Sequence, residues 1–359
     1  MKFSVPGFGK KSVLGLDIGS GSVKAVEIDF KGQDKGFEIL GLGVAAMPHE
    51  AIVQGAFLNS SAIVGAIQEA VDVSGIKTRD AVVAVSGHSV IVKKVSLSRM
   101  TAEELASQIQ WEAEQYIPFD VNEVNLEFQI LDTAEDPALM DVLLVAAKKD
   151  LIDDYVQVMS EAGLTPIAVD VASFALANAF EINQTSDAEG VVALVNIGAH
   201  VVNINVLKDG VPAFTRDITT GGNQYTQEIQ RALSIGFEEA ERVKRGDSAV
   251  DQNQAVLPQE VENAMRAVTE TVVGEISRSL DFFAATTNSG RIEKVMLSGG
   301  GAQVAGLARA FQERSGFEVA MLNPLSRALP SRSYDPAFLQ EAAPSLAVGI
   351  GLAARRSGF

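Results

Sequence analysis

The stretch Leu14–Ile28, LGLDIGSGSVKAVEI, decides how this chain is read. A short apolar run ends at Asp17-Ile18, a Gly19-Ser20-Gly21 turn follows, and apolar residues alternate again from Val23. Strand-like runs on either side of a glycine turn are the pattern of a hairpin. The same pattern returns at Ala193–Leu207, ALVNIGAHVVNINVL, with Asn196 in the place of Asp17 and Gly198 in the place of Gly19. Two such hairpins half a chain apart predict a duplicated fold that holds a phosphate between its halves. The copies are unequal, because the second has lost the acid of the first.

Glycine lets backbone N–H groups close around a phosphate where a side chain would block the approach. Gly19 and Gly21 meet that need, Ser20 and Ser22 add hydroxyl donors, and Lys24 supplies a positive charge. Asp17, at a strand end, is placed to orient Mg2+ through water, since that ion keeps several waters and takes few carboxylates. The motif is not a P-loop, which needs GxxxxGK[ST] ahead of a helix. A third glycine turn, Ser298-Gly299-Gly300-Gly301, again follows a strand-like run. Any one of these is also the pattern of an ordinary tight turn. Three successive glycines, however, cost backbone entropy, and close approach to a ligand explains them better than a bare connection does.

Composition narrows the classes. The chain has 359 residues, enough for two domains or one large divided one, and 47% of them are hydrophobic. No run of 18 apolar residues suggests a membrane span, and the first 15 residues lack the apolar core of a secretory signal. Phe3, Phe8, Lys10 and Lys11 fit a flexible lead-in, with weak interfacial contact as the other reading. There is no cysteine, which excludes disulfides, thiolate metal sites and cysteine nucleophiles, and the three histidines have no metal-ligand spacing. A net charge of −17 argues against nucleic acid as a partner and favours basic ones.

Along the chain, strands are expected at 13–17, 22–30 and 37–44, then a helix over 60–74 with Ile63, Ile67 and Val71 on one face. AVVAVSGHSVIVKKVSL reads as a hairpin broken at Ser86-Gly87, and Ser86-Gly87-His88 as its turn rather than a catalytic group. Thr101 and Glu104 make a capping box for a helix over 102–116 whose apolar face is Leu105, Ile109, Ala113 and Tyr116. Trp111 lies off that face, so it covers a neighbouring strand or meets a partner. Strands 124–131 and 141–147 and a helix 149–162 complete a compact α+β unit over 80–165. A strand 165–171 feeds a helix 172–181, and a polar linker follows. The second half reads as strands 191–197, 201–207 and 211–217, helices opening at Gly221-Gly222, a polar break at 246–258, and a helix 259–285. KVMLSGGGAQVAGL is a buried strand, a turn and a helix start, and SLAVGIGLAAR is a small-residue helix.

These motifs resemble the actin/Hsp70/sugar-kinase ATPase superfamily, and within it the type IV pilus assembly family PilM, related to the division protein FtsA. Asp17 to Lys24 matches the first phosphate motif and Asn196 to His200 the second, through Gly198 and Ala199. Leu297 to Gly301 matches the adenosine motif and Ala347 to Leu352 the last connecting helix. GGNQYTQEIQRAL from Gly221 and Gly222, followed by AERVK, is similar to the nucleoside-holding stretch, which makes Glu241 and Lys244 the implied ribose and adenine contacts. Their spacing of three also fits a plain intrahelical ion pair. His200 stands where the superfamily keeps a small residue, and a phosphate hydrogen bond and a polar turn contact both suit it. Ile109 to Leu131 resembles the family's inserted subdomain.

The resemblance implies an α/β fold of duplicated, ribonuclease-H-like, actin-like domains around a nucleotide cleft, with an inserted FtsA-type α+β subdomain. The implied division is 1–79 with 166–186 and 345–359 as the first domain, and 80–165 as the insertion. The second domain is then 187–222 with 291–344, and 223–290 the helical nucleoside-contacting part. The implied cofactors are ATP or ADP with Mg2+. The implied partners are the cytoplasmic N-terminal peptide of PilN, the assembly ATPases, the platform protein, and other copies of the chain in an oligomer or ring. The implied place is cytoplasmic, peripheral to the inner membrane through a partner, because GLAARRSGF carries no basic amphipathic helix for direct insertion.

Two departures bear on turnover. The second phosphate motif commonly begins with aspartate, whereas Asn196 is neutral and cannot act as a base. The helix after strand 165–171 often starts with Gln or Glu, whereas this chain reads Val171-Ala172-Ser173 with Asp170 the nearby acid. ATP binding with slow or negligible hydrolysis is therefore expected. The other readings are an active phosphotransferase or ATPase and an FtsA-like filament former.

Overall fold

The protein is described from a computed structural model covering residues 12–31, 35–131, 133–134, 136–184, 190–246, 259–287, 290–331 and 333–355. The lead-in, most of the two polar linkers and the final four residues lie outside the described residues. The first half opens with β1 (Leu14–Ile18), β2 (Ser22–Phe30) and β3 (Phe37–Ala46), a small hairpin of β4 (Ile52–Val53) and β5 (Ala56–Phe57), α1 (Ser60–Ser74) and β6 (Asp80–Val85). An inserted unit follows, made of β7 (Val90–Ser98), α2 (Ala102–Ala113), β8 (Val124–Leu131) and β9 (Leu139–Lys148). α3 (Lys149–Glu161), β10 (Thr165–Val171) and α4 (Ala172–Asn183) return to the first half. The second half comprises β11 (Val191–Ile197), β12 (Val202–Lys208), β13 (Val211–Ile218), α5 (Gly222–Leu233), α6 (Phe237–Arg245), α7 (Gln259–Thr286), β14 (Lys294–Ser298), α8 (Leu307–Ser315) and β15 (Glu318–Met321). α9 (Pro336–Ala342) and α10 (Ala347–Ala354) close the described chain.

The duplication is plain in the strand order. The first sheet runs β3-β2-β1-β6-β10 and the second β13-β12-β11-β14-β15. In each, the first three strands form an antiparallel meander and the last two run parallel to the hairpin's first strand. Parallel strands covered on both faces are apolar throughout, which explains why Ala81–Val85 of β6 are all buried. α1 packs Ile63 and Ile67 on one face of the first sheet against Leu14, Leu16 and Val23. α4 and α10 cover the other, and their core reaches across to Leu194 and Leu207 of the second half. All eight residues of α10 are buried, as an apolar, small-residue helix requires.

The inserted unit is a three-stranded antiparallel sheet, β7-β9-β8. α2 rests Leu105, Ile109 and Ala113 on Val95, Leu97, Val142 and Leu144, with the Thr101–Glu104 capping box in place. Trp111 is 64% exposed on α2, away from that packing face. One expectation is corrected. Asp80–Val85 and Val90–Ser98 do not form a hairpin: β6 pairs with β1 and β10, and β7 pairs with β9. Gly87, at φ 92°, turns the chain out of one sheet into another. Tyr155, Val158 and Met159 of α3 likewise belong to the first half's core.

Candidate functional site

The two hairpin turns close in the same way. Gly19 N donates to Ser22 O at 3.1 Å, and Gly198 N donates to Val201 O at 2.9 Å. They meet tip to tip, since a Cβ on Gly21 would lie 3.1 Å from the Ala199 Cβ. The start of α5 packs on the second turn through Gly222 N to Gly198 O, 2.9 Å, and Asn223 N to Ala199 O, 2.8 Å. A Cβ on Gly221 would be 2.8 Å from the Ala199 carbonyl oxygen, and one on Gly222 would be 3.7 Å from the Cα of Gly301. The turn after β14 completes the cluster. Gly299 has φ 90°, and a Cβ there would run into the Ile197 carbonyl and sit 2.8 Å from Asn196 Oδ1. A Cβ on Gly301 would come within 3.1 Å of Gly198 O, whereas one on Gly300 would meet open space. Four glycine turns from the two halves therefore converge on one cleft, where backbone can approach a ligand closely.

Charges flank the cleft. Asp17 and Lys24 face each other across β1 and β2 and form an ion pair of 3.2 Å, partly screened from solvent; Lys24 also donates to Ser22 O at 3.3 Å. An incoming phosphate can take Lys24, leaving Asp17 for a hydrated cation. Among the described residues no group of three or more His, Asp or Glu could hold a metal alone. A cation here would have to be completed by phosphate oxygens and water, which is what Mg2+ accepts.

At the opposite side, Lys244 Nζ lies 2.5 Å from Glu241 Oε2, donates to Gly222 O at 3.2 Å and to Thr226 Oγ1 at 3.0 Å. Thr226 Oγ1 in turn donates to Glu241 Oε2 at 2.6 Å. Burial works against ionising Glu241, but Lys244, Thr226 and Arg245 together hold its carboxyl below the usual range. Burial outweighs Glu241 at Lys244 and lowers that ammonium. The pair is thus tied to the Gly222 turn, more than a helix-surface contact.

His200 Nε2 is buried with no hydrogen-bond partner, and burial lowers its pKa. It reaches neutral pH uncharged, with a ring nitrogen to satisfy. Asp170 is not available to position water: it pairs with Arg355 at 2.6 Å and accepts from Val171 N. Burial raises its pKa in spite of those partners.

Reading the sequence missed a polar rung behind the second turn. Asn196, Asn203 and Asp217 sit in register on β11, β12 and β13. Asn196 Nδ2 donates to Asn203 Oδ1 at 3.1 Å, and Asn203 Nδ2 donates to Asp217 Oδ1 at 2.8 Å. Gly87 N donates to Asp217 Oδ2 at 2.6 Å. Burial pushes the Asp217 carboxyl up, opposed by both donors. The signal was present as two asparagines, Asn203 and Asn205, in the otherwise apolar VVNINVL.

The family model described as type IV pilus assembly protein PilM matches residues 15–357. The chain belongs to the PilM family. A solved structure described as a PilM–PilN type IV pilus biogenesis complex is 27% identical, with a TM-score of 0.85 over 97% of this chain and 99% of that one. The cell division protein FtsA of Bacillus subtilis (strain 168) is 24% identical over 351 residues, 84% of this chain and 76% of its own length. The ethanolamine utilization protein EutJ of Carboxydothermus hydrogenoformans shares the fold at 17% identity, with a TM-score of 0.56 over 98% of this chain and 92% of that one. This PilM-family chain therefore has the FtsA-like, actin-like ATPase fold, and the glycine cluster lies between its two duplicated halves. No single described helix is long and apolar enough to cross a membrane.

Proposed function

We propose that this PilM-family chain is a nucleotide-holding scaffold of the type IV pilus machine. It binds ATP or ADP with Mg2+ in the cleft and docks the cytoplasmic N-terminal tail of inner-membrane PilN, in a groove between the first domain and the inserted unit. That docking holds it at the membrane and links the PilN side to the assembly ATPases and platform protein. The observation that carries the nucleotide reading is the convergence of four glycine turns between Asp17–Lys24 and Glu241–Lys244. The docking reading is supported by likeness to a PilM–PilN complex across 97% of the chain. The divided domain plan also stands as a proposal, with β6 and α3 counted in the first domain and the insertion reduced to β7–β9.

In this reading the turn N–H groups and Lys24 take the phosphates, and Asp17 orients the metal through water. Glu241 and Lys244 meet the nucleoside. Mg2+ supplies neutralisation of phosphate charge. Turnover is slow because Asn196 cannot accept a proton, Asp170 is held by Arg355, and α4 begins Ala172-Ser173 with no water-orienting Gln or Glu. Loss of such groups typically costs about 10²–10⁴-fold.

Calorimetric titration with ATP and Mg2+ tests the site, and Asp17→Ala is expected to weaken binding about tenfold or more. Equal affinity in that variant removes the assignment. Single-turnover hydrolysis at about 1 s⁻¹, an ordinary enzyme rate, would contradict slow turnover. Co-purification with a PilN N-terminal peptide, with and without ATP, tests docking; no complex in either condition defeats it.

A further inference from the structure

The two hairpins carry the same cross-strand rung with different chemistry. Asp17 of β1 faces Lys24 of β2, and Asn196 of β11 faces Asn203 of β12. The second rung alone extends to a third polar residue, Asp217 of β13, and the acid sits there instead of at the turn. Its carboxylate accepts on both oxygens, from the Gly87 N–H at 2.6 Å and from Asn203 Nδ2 at 2.8 Å. A carboxyl whose two oxygens both accept offers the rung no donor, whereas an amide is a donor at one end and an acceptor at the other. Polarity therefore runs in one direction. Asn203 must turn its Nδ2 to Asp217, so its Oδ1 faces Asn196. Asn196 must then turn its Nδ2 to Asn203, which leaves its Oδ1 accepting from Ser298 Oγ at 3.3 Å, with a second lone pair beside the Gly299 turn.

We propose that Asp217 is the displaced acid of the second phosphate turn, a positioning residue that acts through Asn203 to make position 196 present an acceptor oxygen to the cleft. Asn196 Oδ1 then receives a hydrogen bond from a metal-bound water, as the carboxylate missing from that position would. The role rests on the nucleotide reading above. A purely structural role, tying the second sheet to Gly87, predicts different behaviour on substitution.

Asp217→Asn separates the two. An amide at 217 can accept from Gly87 N and donate to Asn203, which reverses both asparagines, keeps every hydrogen bond in the rung, and turns Asn196 Nδ2 toward Ser298. The expected result is a folded protein with little change in melting temperature and about tenfold weaker ATP binding in the presence of Mg2+, with binding in EDTA unchanged. The double variant Asn196→Asp, Asp217→Asn moves the acid to the turn and is expected to bring Mg2+-supported affinity back to within about threefold of the parent. Unchanged Mg2+-supported affinity in Asp217→Asn overturns the proposal. So does a double variant no tighter than the single one, or an Asp217→Asn that fails to fold, since the reversed rung keeps its bonds. If the parent protein binds no ATP at all, the nucleotide reading falls and takes this role with it. If the parent binds ATP and only the variants disobey, this role falls alone.

Discussion

Glu241 and Lys244 stand three apart on α6, a spacing that any exposed helix could use for a pair contributing a few tenths of a kcal/mol. The site around them differs, because the same ammonium holds Gly222 O and Thr226 Oγ1 and is 11% exposed. Lys244→Ala should therefore cost about 1–3 kcal/mol, more than a surface pair. The pH dependence has a definite sign. Glu241 ionises more readily in the folded chain than its ordinary value of 4.5, so its contribution is fully present above that value and lost as pH falls through the lower folded value. Urea unfolding should show the gap between parent and Lys244→Ala shrinking below about pH 4.5. A gap independent of pH would mean that packing of the lysine stem, and not the pair, is responsible.

Elements show where the sequence was legible. The hairpins β1–β2 and β11–β12, the capped α2 and the apolar α10 follow from period, capping chemistry and small-residue composition, all local signals. The switch at Ser86-Gly87 was not legible as a turn type, because two β-rich runs joined by Ser-Gly look alike whether they pair with each other or with distant strands. What distinguished them was burial: β6 is apolar on both faces, while β7 exposes Lys93 and Lys94. The Asn196–Asn203–Asp217 rung was half legible, since hairpin register sets the first pair but only the third strand brings in Asp217. α10 yields a prediction at this scale. Gly351 lies against α4 so closely that a Cβ would run into the Ala175 carbonyl oxygen. Gly351→Ala must push the two helices apart and should destabilise by about 1–3 kcal/mol, read as a lower denaturation midpoint with an unchanged m-value. Because the same helices carry the core shared by both halves, nucleotide affinity should fall as well.

For the whole molecule, the question is what keeps two halves in one arrangement around a ligand. On the inner side they share the α4–α10 core with Leu194 and Leu207, and Asn205 Nδ2 donates to Ser173 O at 2.7 Å. At the outer side the first half meets the helical region through His49, just after β3, and Phe237, the first residue of α6, with ring centroids 3.8 Å apart. That contact lies on the same helix as Glu241 and Lys244, so opening it displaces the nucleoside side of the cleft from the Asp17 side. Such ring pairs contribute about 0.5–1.5 kcal/mol. An interaction of that size, broken on the way out, changes a dissociation rate about twofold to tenfold. Phe237→Ala should accordingly speed release of a fluorescent ATP analogue by that factor in stopped-flow displacement, with a smaller change in the association rate. A variant that slows association and leaves release untouched would show that the ring pair shapes entry and does not hold the halves closed.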